Sequence, residues 1–235
     1  MTGSFGCLGV ILTATFKLAP LAEASRSVAV EFSDAALCGP FVDDLLAHAA
    51  TPTALELALP PTTMLVRFES VEAVVLEQAE QAATLAKGLG GTPTILTGDE
   101  ETAAWRAHDA RLFDQEGTIV KLVVLPAELT STLAWLDDAT STRRLDYRVT
   151  GRAGLGVLYL GFSGPVPEQA ALVTALRNRL PVGRGSAVIQ RTDPELKALV
   201  DVWGPVGDGL RTMQEVKRRF DPTGTLNCGR GPGGY

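Results

Sequence analysis

The chain has 235 residues, of which 46% are hydrophobic and 20% charged, a balance that supports a folded core. Its formal net charge of -6 argues against nucleic-acid binding, which needs clustered Lys and Arg. No apolar run reaches the roughly 18 residues of a transmembrane helix, so no transmembrane segment is expected.

The opening stretch from Cys7 to Thr15 is largely apolar, but no basic residue precedes it and glycines interrupt it, which does not fit a secretory signal. Residues 10–18 (VILTATFKL) predict a strand ended by Pro20. Residues 27–32 (SVAVEF) predict a short strand, followed by a helix capped by Ser33 or Asp34 and running to about Ala50. Pro40 makes that helix either kink or start at that point. Strands are predicted at 55–59 and 64–68, with Pro60-Pro61 turning the chain between them.

Residues 71–87 carry the clearest helical pattern. Val71, Val74, Val75, Ala79, Ala82, Ala83 and Ala86 share one face, with Ser70 as N-cap and Gly88 as stop. A strand at 92–96, a helix at 100–112 and a strand at 117–125 follow. Next come a helix at 129–138 capped by Thr130 or Ser131, paired strands at 145–149 and 156–162, a helix at 167–180 and a strand at 186–190. From 27 to 190 the order is βαββαβ, a helix, then βαββαβ again. This predicts an α+β fold with two units of a split βαβ design. Residues 193–235 read as two short helices and a glycine-rich tail.

The ends carry the most specific residues. In GSFGCLGVI, Gly3, Gly6 and Gly9 recur every third residue before a strand. Such glycines are more often a tight turn than a phosphate cradle, though exposed N–H groups can serve as either. In FDPTGTLNCGR, Asp221-Pro222-Thr223-Gly224 fits a type I turn after a helix whose apolar residues are Leu210, Met213, Val216 and Phe220. Asn227 and Arg230 then lie either on a surface tail or within reach of a ligand.

Together, GSFGCLGVILTATFKLAPL and FDPTGTLNCGR resemble the segments that flank the cap domain in FAD-linked oxidases of the vanillyl-alcohol oxidase type. VDVWGPVGDGLRTMQEVKRRFDP is most similar to the FAD-binding subunit of glycolate oxidases. The resemblance implies FAD as cofactor and oxidation of a 2-hydroxy acid such as glycolate, with hydride passing to the flavin. It also implies partners: a larger flavoprotein subunit and an iron–sulfur subunit. It assigns 1–24 to the end of an FAD-binding domain, 25–192 to the cap (substrate) domain and 193–235 to the C-terminal helices and flavin-proximal tail. The main pyrophosphate loop is expected upstream of such an opening.

By the same resemblance Gly3, Ser4, Phe5, Gly6, Leu8, Gly9 and Val10 would give contacts to the adenosine and diphosphate part of FAD. Asn227 and Arg230 would lie near the flavin ring. The family's proline is replaced by Cys228. The alternatives are a non-catalytic interaction subunit of a glycolate oxidase complex, or an inactive truncated fragment.

The remaining candidates have ordinary readings. Cys7, Cys38 and Cys228 form no CxxC pair and suit a reducing cytoplasm, so a cytoplasmic location is expected, with attachment to the inner membrane only through partners. His48 and His108 are expected on helix surfaces, with no metal site and no assignable catalytic base. Arg177, Arg179, Arg184 and Arg191 fit a solvated face or ion pairs more often than a carboxylate fork. Trp105, Trp135 and Trp203 are expected as core or interface anchors.

Overall fold

Apolar positions along the strands and an apolar stripe on each core helix set the layers of the main unit. The computed structural model describes residues 1–48, 50–113, 116–180 and 183–234. They form two compact units: Leu21–Val202, and Met1–Pro20 together with Trp203–Tyr235.

The first half of the main unit contains β1 (Ala24–Glu31), α1 (Cys38–Ala47), β2 (Ala54–Leu59), β3 (Thr63–Ser70), α2 (Glu72–Gly88) and β4 (Thr92–Leu96). Helix α3 (Gly98–Phe113) leads to the second half: β5 (Thr118–Val123), α4 (Leu129–Arg143), β6 (Asp146–Arg152), β7 (Val157–Ser163), α5 (Val166–Arg179) and β8 (Ser186–Arg191). Short helix α6 (Pro194–Leu199) closes this unit, and α7 (Gly209–Phe220) belongs to the other.

The strands make one eight-stranded antiparallel sheet in the order β4-β1-β3-β2-β6-β7-β5-β8. Counted from either edge inward, each half presents its fourth, first, third and second strand. The sheet is thus a pseudo-twofold duplication joined at β2–β6, where Glu56 faces Arg152. The duplication predicted from element order is therefore present.

The hairpins fix the correspondence between the halves. Each leaves four residues between its last paired positions, Ala58↔Thr63 and Arg152↔Val157. Met64, Val66 and Phe68 thereby correspond to Leu158, Leu160 and Phe162, and all six side chains are buried in one core. Helices α1, α2, α4 and α5 cover that face. On α2, Val75, Ala79, Ala82, Ala83 and Ala86 are buried, while Val71 and Val74 lie outside the stripe in solvent. The run of alanines lets the helix approach the sheet closely.

Helix α3 lies on the opposite face, over the first half and against β6, and docks through polar groups. The Ser25 and Ser27 hydroxyls donate to Glu101 at 2.7 and 2.6 Å, and Trp105 Nε1 donates to Ser27 Oγ at 2.9 Å. Arg67 Nε is 3.3 Å from Glu101, an ion pair without hydrogen-bond alignment, and its guanidinium stacks 4.2 Å over the Trp105 ring.

Several expectations need correction. Residues 10–18 form no strand. A strand needs a neighbour to receive its N–H and C=O groups, and no described strand pairs here, so Val10, Leu12, Phe16 and Leu18 stay largely exposed. Ser70 does not cap α2, because it is the last residue of β3, paired with Ala24; Val71 takes the cap position. Helix α2 does stop at Gly88, and the left-handed residue that follows is Gly90 (φ 80°). Ser131 and Thr130 do not cap α4: Glu128 occupies that position, and the Ser131 hydroxyl donates to its carbonyl instead. The helix predicted to reach Ala50 ends at Ala47, and residue 49 lies outside the described residues. Asp34 caps not α1 but the short 3-10 turn Ala35–Leu37 before it, accepting from Ala36 N at 2.8 Å, and Pro40 sits in the first turn of α1. No helix among the described residues is long and apolar enough to cross a membrane.

Candidate functional site

The two chain ends meet through one lysine. Gly224 N donates to Asp221 O at 3.1 Å, closing the turn expected from Asp-Pro-Thr-Gly. The Asp221 carboxylate accepts from Thr225 N at 3.0 Å, Leu226 N at 2.8 Å and Lys217 Nζ at 2.6 Å. The lysine, then the backbone donor of Leu226, hold this acid well below the usual carboxylate range. Lys217, one turn earlier on α7, also donates to Cys7 O at 2.9 Å and Leu226 O at 2.6 Å. Three ammonium protons thus meet three acceptors at a buried position.

The glycine loop turns in left-handed steps: φ is 85° at Gly3, 52° at Phe5 and 72° at Gly6. Asn227, itself at φ 42°, donates from Nδ2 to Phe5 O at 2.6 Å. A Cβ on Gly6 would stand 2.8 Å from that nitrogen, so this position needs glycine for space as well as for φ. The buried Cys7 thiol points to Asn227 O at 3.7 Å. The N–H groups of Phe5 and Gly6 make no hydrogen bond among the described residues.

Of the residues expected at a site, Gly3, Ser4, Phe5, Gly6 and Asn227 are brought together here. Gly3, Ser4, Phe5 and Leu8 help wall a mostly apolar cavity of about 380 Å³ with Trp203 and Met213. Phe5 packs edge-on against Trp203, with centroids 5.1 Å apart. Gly9 lies beside the Met1 side chain, and the Val10 side chain is exposed. Arg230 and Cys228 are exposed on the tail. The apolar face of α7 behaves unexpectedly: Phe220, Met213 and Val216 are partly exposed, and the buried residue of the helix is Lys217. The i,i+4 spacing of Lys217 and Asp221 was the available sequence signal for this pair.

A second cavity, of about 700 Å³, stands in the second half of the main unit, on the face opposite α4 and α5. Ile119, Arg148, Gly161 and Arg191 line it, with Asp146 and Glu116. Tyr147 also borders it, but its hydroxyl donates to Asp137 at 2.9 Å, and burial, then that hydrogen bond, push its pKa up.

The arginines do not converge as a group. Arg177 donates to the carbonyls of Ala187, Asp201 and Val202, and Arg179 lies 5.6 Å over Trp135. His48 is exposed as expected. His108 is not a surface residue: its side chain is 11% exposed, 3.7 Å from Glu56 and edge-on to Trp105, because α3 lies down on the sheet. Among the described residues no cluster of His, Cys, Asp and Glu could hold a metal ion.

No family model matches the chain, and no curated protein matches it in sequence. Solved structures share its fold. An alkyldihydroxyacetonephosphate synthase superposes with a TM-score of 0.60 at 15% identity, over 92% of this chain and 46% of the other. The 4-ethylphenol oxidase from Gulosibacter chungangensis, solved with isoeugenol, gives 0.61 at 12% identity, over 91% and 54%. The chain therefore spans about half the length of these proteins.

Proposed function

We propose that this chain is part of an FAD-dependent oxidoreductase that oxidises a 2-hydroxy acid, in the manner of the FAD-binding subunit of glycolate oxidases. The observation that carries the reading is the meeting of the two glycine-rich ends. Lys217 joins Cys7 O to Leu226 O, and Asn227 fastens the loop at Phe5. The fold shared with a 4-ethylphenol oxidase supports it.

The residues present fit the diphosphate part of such a cofactor in donor type. The N–H groups of Phe5 and Gly6 are left for an anion, in a loop whose left-handed turns expose them. Asn227 uses its amide nitrogen on Phe5 O, so its role is to hold the loop, with Oδ1 left for a ligand. Arg230, exposed on the tail, would supply positive charge. Bound flavin would supply the hydride acceptor.

The test is titration of the purified chain with FAD, read as flavin fluorescence and as absorbance retained after desalting. Saturable binding, weakened by Arg230→Gln and by Gly6→Val, supports the reading. No retained flavin at any concentration overturns it for this chain.

A second reading is favoured by one observation. Leu12, Phe16 and Leu18 are 87%, 79% and 86% exposed, more apolar surface than an isolated segment should show. In that reading the chain is an interaction subunit beside a larger flavoprotein and an iron–sulfur partner. Co-purification with such partners in the absence of bound flavin would favour it.

A further inference from the structure

Two of the three cysteines stand at opposite ends of the chain and meet in the folded end unit. Cys7 closes the turn that begins at Ser4, donating from N to Ser4 O at 2.9 Å. Cys228 is the second residue of a turn closed by Arg230 N on Asn227 O at 3.1 Å. The two turns are held side by side at three points. Asn227 Nδ2 donates to Phe5 O at 2.6 Å, and Lys217 Nζ binds Cys7 O at 2.9 Å and Leu226 O at 2.6 Å.

The Cys7 sulfur points into this seam, 3.9 Å from Phe5 O and 3.7 Å from Asn227 O. Asn227 O and the Cα of Cys228 flank one peptide bond, so standard dimensions put the Cys7 sulfur within about 6.5 Å of that Cα. A disulfide joins Cα atoms about 4.4–6.8 Å apart, with little tolerance beyond. The tail has room for the adjustment that remains. Cys228 is exposed, so its side chain is free to turn, and Gly224 and Gly229 on either side of it have open space around them.

The two thiols differ in the way a stepwise exchange requires. Cys228 is open to a reagent from solution, whereas Cys7 is 2% exposed and is reached only by a group already on the protein. Cys38, the third, is also buried, and it lies in the main unit rather than in this one.

We propose that Cys7 and Cys228 form a reversible disulfide that locks the glycine loop to the C-terminal tail, with a small-molecule disulfide such as oxidised glutathione as oxidant. The Cys228 thiolate attacks one glutathione sulfur, the glutathione S–S bond breaks, and one glutathione thiolate leaves. The Cys7 thiol, giving up its proton to water, then attacks the Cys228 sulfur and expels the second glutathione thiolate. Two protein thiols are oxidised by two electrons in all, and one glutathione disulfide is reduced to two thiols. A bridge with one exposed partner is of the labile, regulatory kind. Its formation does not rest on the flavin reading.

The experiment is incubation of the full chain with oxidised glutathione, followed by alkylation, unfolding, thiol counting and peptide mapping. The count should fall from three to one, the survivor being Cys38, with the Cys7 and Cys228 peptides linked. Hydrogen exchange at residues 1–9 and 224–230 should slow about tenfold in the bridged chain and recover on reduction. In urea, where only chain connectivity relates the two cysteines, pairing should be slower by about tenfold or more. Cys7→Ser should stop at a glutathione adduct on Cys228. Cys228→Ser, at an exposed position, should leave both buried thiols unmodified and keeps the test decisive if Cys7→Ser does not fold. A lasting glutathione adduct on Cys228 beside a free Cys7 in the unaltered chain overturns the proposal. So do dimers joined through Cys228, a bridge to Cys38, pairing as fast in urea as in the folded chain, or a bridge that leaves exchange at both ends unchanged.

Discussion

The two halves of the sheet share strand order, hairpin length and a matched row of core residues, yet their opposite faces have gone different ways. The first half is roofed by α3, which buries Glu101 and Trp105 on Ser27 and Arg67. In the second half the same level borders a cavity, with Gly161 and the buried Ile119 between Arg148 and Arg191. The shared row holds the fold, and the unshared row is where the two halves differ. A change that is equivalent by symmetry should therefore be equivalent in stability only on the helix-covered face.

The largest effect tests the sameness. Phe68→Ala and Phe162→Ala empty corresponding core positions, and each should cost about 3–5 kcal/mol in urea unfolding. Unequal losses would mean that the halves are packed to different standards. The next effect tests the difference. Glu101→Ala strands Arg67 and two serine hydroxyls beneath α3 and should cost about 3 kcal/mol. Arg148→Gln, beside the cavity, should stay within about 0.5 kcal/mol. An intermediate loss of about 1 kcal/mol is expected for Trp105→Phe, which keeps a ring under Arg67 but drops the hydrogen bond to Ser27.

Acid should separate the sheet from the chain ends. Asp221 has a folded pKa below its unfolded value, so its contribution is complete above roughly pH 5 and is lost as pH falls below about 4. Hydrogen exchange at residues 221–227 should quicken over that range while the sheet core is unchanged, and Asp221→Asn should be as fast at neutral pH. The smallest effect is chemical. Cys38 is buried and its thiol is pushed up to about 12, and Cys7 is buried too, so one thiol, Cys228, should react quickly with a thiol reagent at pH 8 in the folded chain.

Much of the frame was legible in the sequence because each β-strand and helix of the sheet unit carries its own period. The strand at 92–96 matches β4 residue for residue, and the alanine stripe of α2 was visible from its spacing. What failed was whatever depended on a distant partner. Residues 10–18 have strand composition, but composition cannot supply a neighbouring strand. His108 looked like a surface residue because α3 has no continuous apolar face; its docking is polar and shows only when Glu101 meets the serines of β1. At the ends, the Asp-Pro-Thr-Gly turn was readable as local chemistry, whereas burial of Lys217 in place of Phe220 was not, since its acceptors lie at Cys7 and Leu226. The row from Arg148 to Arg191 likewise needed the register of β6, β7, β5 and β8.

The bond from Lys217 to Cys7 O spans 210 positions of sequence. A ribosome delivers those positions in order, at about 5–20 residues per second. Cys7 must therefore wait for those 210 positions before its lysine exists. The main unit, Leu21–Val202, is complete well before that moment and can fold in the interval. The glycine loop is made before the main unit and acquires its shape only after it, so this contact closes well behind the synthesis of its first partner.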